Sequence, residues 1–281
     1  MSMTLHFLNV GNGDCTIVEL PDGNLMMVDI CNGGGTDWQK TDPIRHLGNR
    51  TDLLRYVQTH PDMDHMEGLA ALARKCTITN FWDTANTKPR PDFRSPYSKG
   101  KPEDWDAYQK LRSGAKFHYR GLSPVTLQGG GKFPYELFVL HPTEQAVKDA
   151  NQAGEWNNAA YVLLLKEGGF KALITGDIDD GVWEELHTWA SRTETARALV
   201  SGVCVFKVSH HGRRSGYCGA NWLNLTKPKE IVISKGSVPG EQSAYGNYAY
   251  HLGAEHLWLT TQGNVVCSYD SGKNQYSIKR N

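Results

Sequence analysis

The chain has 281 residues; its 30 basic and 30 acidic side chains cancel, and 39% of it is hydrophobic, with eight tryptophans and twelve tyrosines. That is ample apolar material for one large core or two small ones, and it excludes a disordered, charge-driven chain. The neutral balance gives no support to a strongly basic nucleic-acid binder, although a local basic stripe can sit inside a neutral total.

"MSMTLHFLNVGNGD" shows neither a basic leader nor an apolar stretch of signal-peptide length, and no run reaches about 18 apolar residues, so no membrane segment is expected. Cysteines 15, 31, 76, 204, 218 and 267 form no CxxC pair, which favours free thiols and cytoplasmic residence. Along the chain, "TLHFLNV" and "CTIVEL" predict strands around a Gly11–Asp14 turn, and "PDGN" at 21–24 a tight turn into the strand "LMMVDI". "DLLRYVQTH" predicts a strand ending at His60, "GLAALARK" a helix and "TITNFWD" another strand. Residues 85–115 differ in texture, with several prolines, many charges and few aliphatics, and belong to a segment of about 85–130 that interrupts the pattern. They read as an insertion carrying one helix, "PEDWDAYQKLR". Its basic and aromatic run "KPRPDFRSPYSKGKPEDW" suits either a structural lid or a strip that stacks on bases and follows a backbone.

Beyond the insertion, "GKFPYELFVLHP" ends a strand at His141, and "NNAAYVLLLKEGGFKALITGD" predicts a hairpin that stops at Asp177. A helix "DGVWEELHTWA" leads to the strand "VCVFKVSHHG". "EIVISKG" and "HLWLTTQGNVVCSY" complete the strands, with a helix between them near 243–252. This mixture predicts two packed sheets with outer helices.

Metal-competent residues recur where apolar runs stop: His60, His141, Asp177 and His210. Strand ends are where such scaffolds display functional groups on a rigid base. In "HPDMDH" the alternation of His60, Asp62 and Asp64 can turn all three to one side, with His65 entering the next helix. Two adjacent metals need about seven or eight protein ligands, and these seven residues match that number. Imidazoles mixed with carboxylates suit zinc or manganese.

The blocks together resemble the metallo-β-lactamase superfamily, whose first motif reads HxHxDH. More narrowly they are similar to the soluble hydrolase domain of ComEC-type competence proteins, which carry HxDxDH, as His60-x-Asp62-x-Asp64-His65 does here. "HFLNVGNGDCTIVELPDGNLMMVDICNGG", "VLHP", "NNAAYVLLL…LITGD" and "FKVSHHGRRSG" resemble the other family blocks in the same order. The likeness runs from about residue 5 to 267 and is interrupted over 85–130. It implies a four-layer αββα sandwich formed by a single domain.

The resemblance further implies that His60, Asp62 and His141 hold a first divalent metal. Asp64, His65 and His210 hold a second, and Asp177 bridges. Asp64 is also expected to orient or deprotonate the attacking water. The sequence leaves open which of His210 and His211 ligates: the family block favours His210, and His211 is then a candidate general acid or substrate donor. Asn158, Arg213, Arg214 and Lys235 are candidate substrate contacts, with Lys207 and Tyr245 also expected near the mouth. Asp14 and Asp29 are expected to brace loops. The implied activity is phosphodiester hydrolysis, with nucleic acid or a small phosphodiester as substrate. Cyclic nucleotides, phosphocholine-type diesters, lactones and thioesters are the small-molecule alternatives, and a non-catalytic partner or sensor domain is a third reading. A protein partner is compatible with all of these, and the oligomeric state is left open.

Overall fold

Alternate residues of each central strand face different apolar layers, and this period of two builds the architecture. The computed structural model describes residues 2–32, 40–95, 100–125, 133–235 and 242–281. Its first sheet runs in the order β15 (Gln275–Arg280), β14 (Val265–Asp270), β1 (Ser2–Phe7), β2 (Thr16–Glu19), β3 (Leu25–Val28), β5 (Arg55–Val57) and β7 (Phe81–Trp82). The second runs β13 (Leu257–Leu259), β12 (Glu230–Ile233), β11 (Val205–Lys207), β10 (Phe170–Thr175), β9 (Val162–Glu167) and β8 (Glu136–His141). A short parallel pair, β4 (Asp52–Leu53) with β6 (Thr77–Ile78), flanks the first sheet.

Met3, Leu5 and Phe7 of β1 enter a central core with Leu163, Leu165, Ala172, Ile174 and Val205 of the second sheet. The intervening residues Val162, Leu164, Leu173 and Phe206 point outward. They pack on Trp183 and Leu186 of α5 (Asp180–Ser191) and Trp222 of α7 (Gly219–Thr226). On the far side, Leu25, Met27 and Tyr56 meet Leu69 and Leu72 of α2 (Leu69–Lys75) and Trp105 and Tyr108 of α3 (Pro102–Arg112). The result is helix, sheet, sheet, helix: the expected αββα sandwich.

Parallel pairing of β3 with β5, and of β10 with β11 and β12, brings several strand ends to one rim. The loops after β5, β10 and β11 carry residues 58–66, 176–179 and 208–213. Open sheets expose their functional loops at such carboxyl ends.

Three departures from the sequence reading have local causes. The run at 256–269 is not one strand: β13 belongs to the second sheet and β14 to the first, and the chain crosses between them at Gly263, whose φ of +124° suits glycine. The segment from 52 to 60 is likewise split into β4 and β5. Helices α4 (Glu144–Ala153) and α6 (Glu194–Val200) start at Thr143 and Thr193, whose hydroxyls accept from the amides of Ala146 and Ala196. Both are standard N-caps in stretches that carry weak apolar periodicity. Helices α1 (Pro43–His46) and α8 (Tyr245–Leu252) complete the described set.

Part of the 85–130 segment lies outside the described residues, namely 96–99 and 126–130. The rest is built into the body. In α3, Trp105 and Tyr108 are buried, and Asp104 accepts from the Ala70 amide at 2.9 Å. Helix α2 begins at Gly68, which has no side chain to cap it, so α3 caps α2 from outside. Asp104→Ala should therefore lower stability by about 1–2 kcal/mol, read as a lower urea midpoint at unchanged slope.

Candidate metal centre

The rim is organised by a carboxylate in an unusual backbone position. Asp29 follows β3 with φ of +55°, a conformation costly for a non-glycine residue. Its oxygens accept from the Thr59 amide at 2.7 Å and the Thr59 hydroxyl at 2.6 Å, and lie 2.7 Å from His65 Nδ1. With Nδ1–H committed to Asp29, His65 turns Nε2 toward the rim, the arrangement by which a carboxylate behind the ring orients a metal-binding imidazole.

A second histidine reaches the same point from the other sheet. His210 and His211 both have positive φ, +50° and +55°, and Gly212 continues the turn at +72°. Strand alternation has ended here, and the left-handed turn sends the two side chains apart. His211 Nε2 lies 3.2 Å from Asp177 Oδ2 and 3.7 Å from Asp64 Oδ2. His65 Nε2 lies 3.2 Å from the same Asp177 oxygen. These approaches lack hydrogen-bond alignment: both Nε2 atoms and Asp177 Oδ1 are buried without a hydrogen-bond partner. Converging lone-pair donors left unsatisfied in a buried pocket are what a divalent cation fits.

Asp14 belongs to the cluster Asp14, His65, Asp177 and His211, whose ligand atoms lie within 4.8 Å of one another. Its Oδ2, however, sits 3.9 Å from the Nδ1 atoms of both His65 and His211, behind the rings rather than at the Nε2 pole. That oxygen also accepts from the buried ammonium of Lys207, which donates as well to the Thr175 carbonyl at 2.7 Å. Lys207, expected at the mouth, lies underneath the site. The loops carrying these groups are in close contact: a Cβ on Gly13 would come within 2.4 Å of the Asp64 carbonyl, and one on Gly176 within 2.6 Å of Thr59 Oγ1.

The clustered groups polarise one another. Burial alone would lower the His211 pKa, but Asp177 and then Asp14 outweigh it and push it up to about 10. His65 is raised against burial by Asp177 and Asp29. Burial favours neutral Asp177, yet the positive charges of His211 and His65 hold it well below the usual carboxylate range. Asp64 is also depressed, His211 and His65 overcoming its burial.

The other sequence candidates are distributed around this pole. His60 is buried with its ring 4.2 Å from that of His65, and its Nε2 is unpartnered and 3.9 Å from Asp62 Oδ2. Asp62 pairs with Lys88, whose ammonium also lies 5.2 Å from the Trp156 ring. His141 is not drawn into the cluster: its Nε2 donates to the Asn158 carbonyl at 2.9 Å. His210, the residue favoured from the family block, turns away; its Nδ1 lies 3.1 Å from Ser215 Oγ and 3.4 Å from Asp179. Arg214 reaches the Ser243 carbonyl, Arg213 bridges Ser243 through its backbone, and the Lys235 amide donates to Thr260. The Asp14–Lys207 and Asp62–Lys88 pairs escaped the sequence reading, although "GNGD" and "FKVS" already marked the first.

No protein-family model matches the chain. A curated relative, ComE operon protein 3 of Bacillus subtilis (strain 168), is 21% identical over a 248-residue alignment that covers 82% of this chain; the chain spans only 28% of that relative's length. Among solved structures, Igni18, a metallo hydrolase from Ignicoccus hospitalis KIN4/I, superposes with a TM-score of 0.55 at 12% identity, covering 92% of this chain and 94% of that one. CmlA, a diiron β-hydroxylase from Streptomyces venezuelae, gives 0.51 at 12% identity over 92% of this chain and 52% of its own. At such identities the likeness is one of fold.

His211→Ala should weaken zinc binding by more than the roughly 10–100-fold that loss of a group hydrogen-bonded to a ligand costs, whereas His210→Ala should change it little, both read by competition with a chromophoric chelator. Metal uptake near neutral pH should expel about two protons, from His65 and His211, because ligating imidazoles must be neutral. Proton release, followed by an indicator dye in weak buffer, should fall away above about pH 10, where His211 is already neutral. In the metal-free protein the raised His211 pKa contributes stability that is complete below about pH 6.5 and lost as pH rises through about 10.

Proposed function

We propose that this chain, which shares its αββα fold with the metallo hydrolase Igni18, is a metal-dependent hydrolase of phosphodiester bonds. The observation that carries the reading is the convergence of His65 Nε2 and His211 Nε2, each 3.2 Å from one Asp177 oxygen, with Asp64 alongside. A divalent ion held there, zinc or manganese by the donor set, would supply Lewis acidity and a water of lowered pKa. His60 and Asp62 lie beside the pole as candidate donors to a second ion.

The chain's own groups have assignable tasks in this scheme. Asp64 is partly exposed, with its carboxylate directed at His211, so it can orient the attacking water. Lys88 brings a partly exposed ammonium to the rim at Asp62, where an anionic phosphodiester oxygen can accept from it. Asp29 orients His65 through Nδ1, and Asp14, paired with Lys207, lies 3.9 Å from the Nδ1 atoms of both imidazoles. The described residues contain no helix long and apolar enough to cross a membrane. All six cysteines are buried thiols, which supports residence in the cytoplasm. Nucleic acid is the first substrate class to test, and a small diester is the second.

The experiment is hydrolysis by zinc- or manganese-reconstituted protein of single-stranded DNA, duplex DNA, RNA and bis-p-nitrophenyl phosphate, with Asp64→Ala and Asp177→Ala in parallel. Polymer cleavage abolished in both variants is the expected result for a nuclease. Turnover of the small diester alone redirects the assignment to small phosphodiesters. Failure on all four substrates, with metal bound, overturns the phosphodiester reading.

A further inference from the structure

Beside the metal pole, two residues beyond Asp177, opens a cavity of about 660 Å³. Its walls come from the end of β8, one face of α4, the Glu155–Asn158 turn and the start of α5. Five carboxylates line it: Asp149, Glu155, Asp179, Asp180 and Glu185. Nearby cations are few. The Arg120 guanidinium pairs with both oxygens of Glu185, and His210 lies 3.4 Å from Asp179. The amino ends of α4 and α5 also face the cavity and contribute about half a positive charge each. Against five carboxylates, that leaves an excess of roughly two to three negative charges.

A group of acids alone would be a solvated surface. Two further atoms indicate a ligand. His141, 2% exposed, lines the cavity; its Nε2 donates to the Asn158 carbonyl, and its Nδ1 is buried without a partner. A neutral imidazole that donates through Nε2 has a lone pair on Nδ1, an acceptor. Asn158 repeats the pattern: its Nδ2 donates to Glu155 at 3.2 Å, and its Oδ1 is buried and unpartnered. The unsatisfied atoms are thus acceptors, and they adjoin a negative wall. Buried acceptors without donors are costly, and a ligand carrying N–H donors and positive charge would satisfy them. Ala146, Ala150, Ala153 and Val182 provide apolar surface for a short aliphatic stem.

We propose that this cavity binds an organic ammonium group bearing N–H donors, carried by the substrate. This rests on reading the Asp177 pole as the reacting centre, and it deepens that reading to a zwitterionic phosphodiester: the anion faces the metal pole and Lys88, and the ammonium enters the acidic cavity.

The test compares p-nitrophenyl phosphodiesters whose second ester is 2-aminoethyl, propyl or 2-(trimethylammonio)ethyl. With metal-loaded protein, the aminoethyl ester should exceed the propyl ester in kcat/KM by about tenfold or more, the scale of one charge-assisted hydrogen bond. The trimethylammonium ester, which has charge but no N–H, should fall between them. In the Asp149→Asn/Glu155→Gln double variant the aminoethyl-to-propyl ratio should collapse toward one. Equal rates for aminoethyl and propyl esters, or a ratio that survives in the double variant, would overturn the proposal; equal rates for the two cations would overturn its donor requirement. If no diester is turned over, the phosphodiester reading fails and the cavity is judged by binding. Saturation-transfer NMR should then show propylammonium but not propanol contacting the wild-type protein, with the signal lost in the double variant. Equal signals from both probes, or none from either, would reject the site.

Discussion

One buried carboxylate, Asp29, fixes the relation between the first sheet and the chemistry at its rim. It takes up a left-handed backbone, holds the start of the motif loop through the Thr59 amide and hydroxyl, and holds its end through His65. A loop of polar residues with this much charge would otherwise sample many conformers. Satisfying both ends with one anion removes that freedom and selects the ring orientation of His65 at the same time. The strained φ is maintained because several hydrogen bonds oppose its relaxation.

The Asp14–Lys207 pair makes the equivalent connection between the sheets. Asp14 comes from the loop between β1 and β2, and Lys207 is the last residue of β11. Both are buried, and the ammonium is further tied to the Thr175 carbonyl. Buried ion pairs add little net stability, but losing one partner leaves an expensive isolated charge, on the order of 3–5 kcal/mol. The pair therefore acts mainly as a register device. It sets the loop carrying Asp14 against the strand that delivers His211, so the two halves of the centre meet at one depth.

Much of this was legible in the sequence because strand periodicity and strand-end polarity are local properties. The β9–β10 hairpin, α3, α5 and the strand end at His141 follow directly from apolar runs and their stops. His65, Asp64 and Asp177 share a rim for the same reason. Which of His210 and His211 faces Asp177 was not legible, because it depends on two consecutive left-handed residues, which alternation does not anticipate. The burial of Lys207 escaped because its partner lies 193 positions away. Helices α4 and α6 were announced only by threonine caps, signals too common to decide between helix and turn.

The pairing of β1 with β14 joins residues 2–7 to residues 265–270 in the middle of the first sheet. Met3, Leu5 and Phe7 cannot complete the central core until that distant strand has emerged. At ribosomal rates of about 5–20 residues per second, β1 waits on the order of tens of seconds with one edge unpaired. A nascent chain in that interval carries an apolar strand open to intermolecular pairing. The open edge is a kinetic vulnerability of synthesis that the finished sandwich no longer shows.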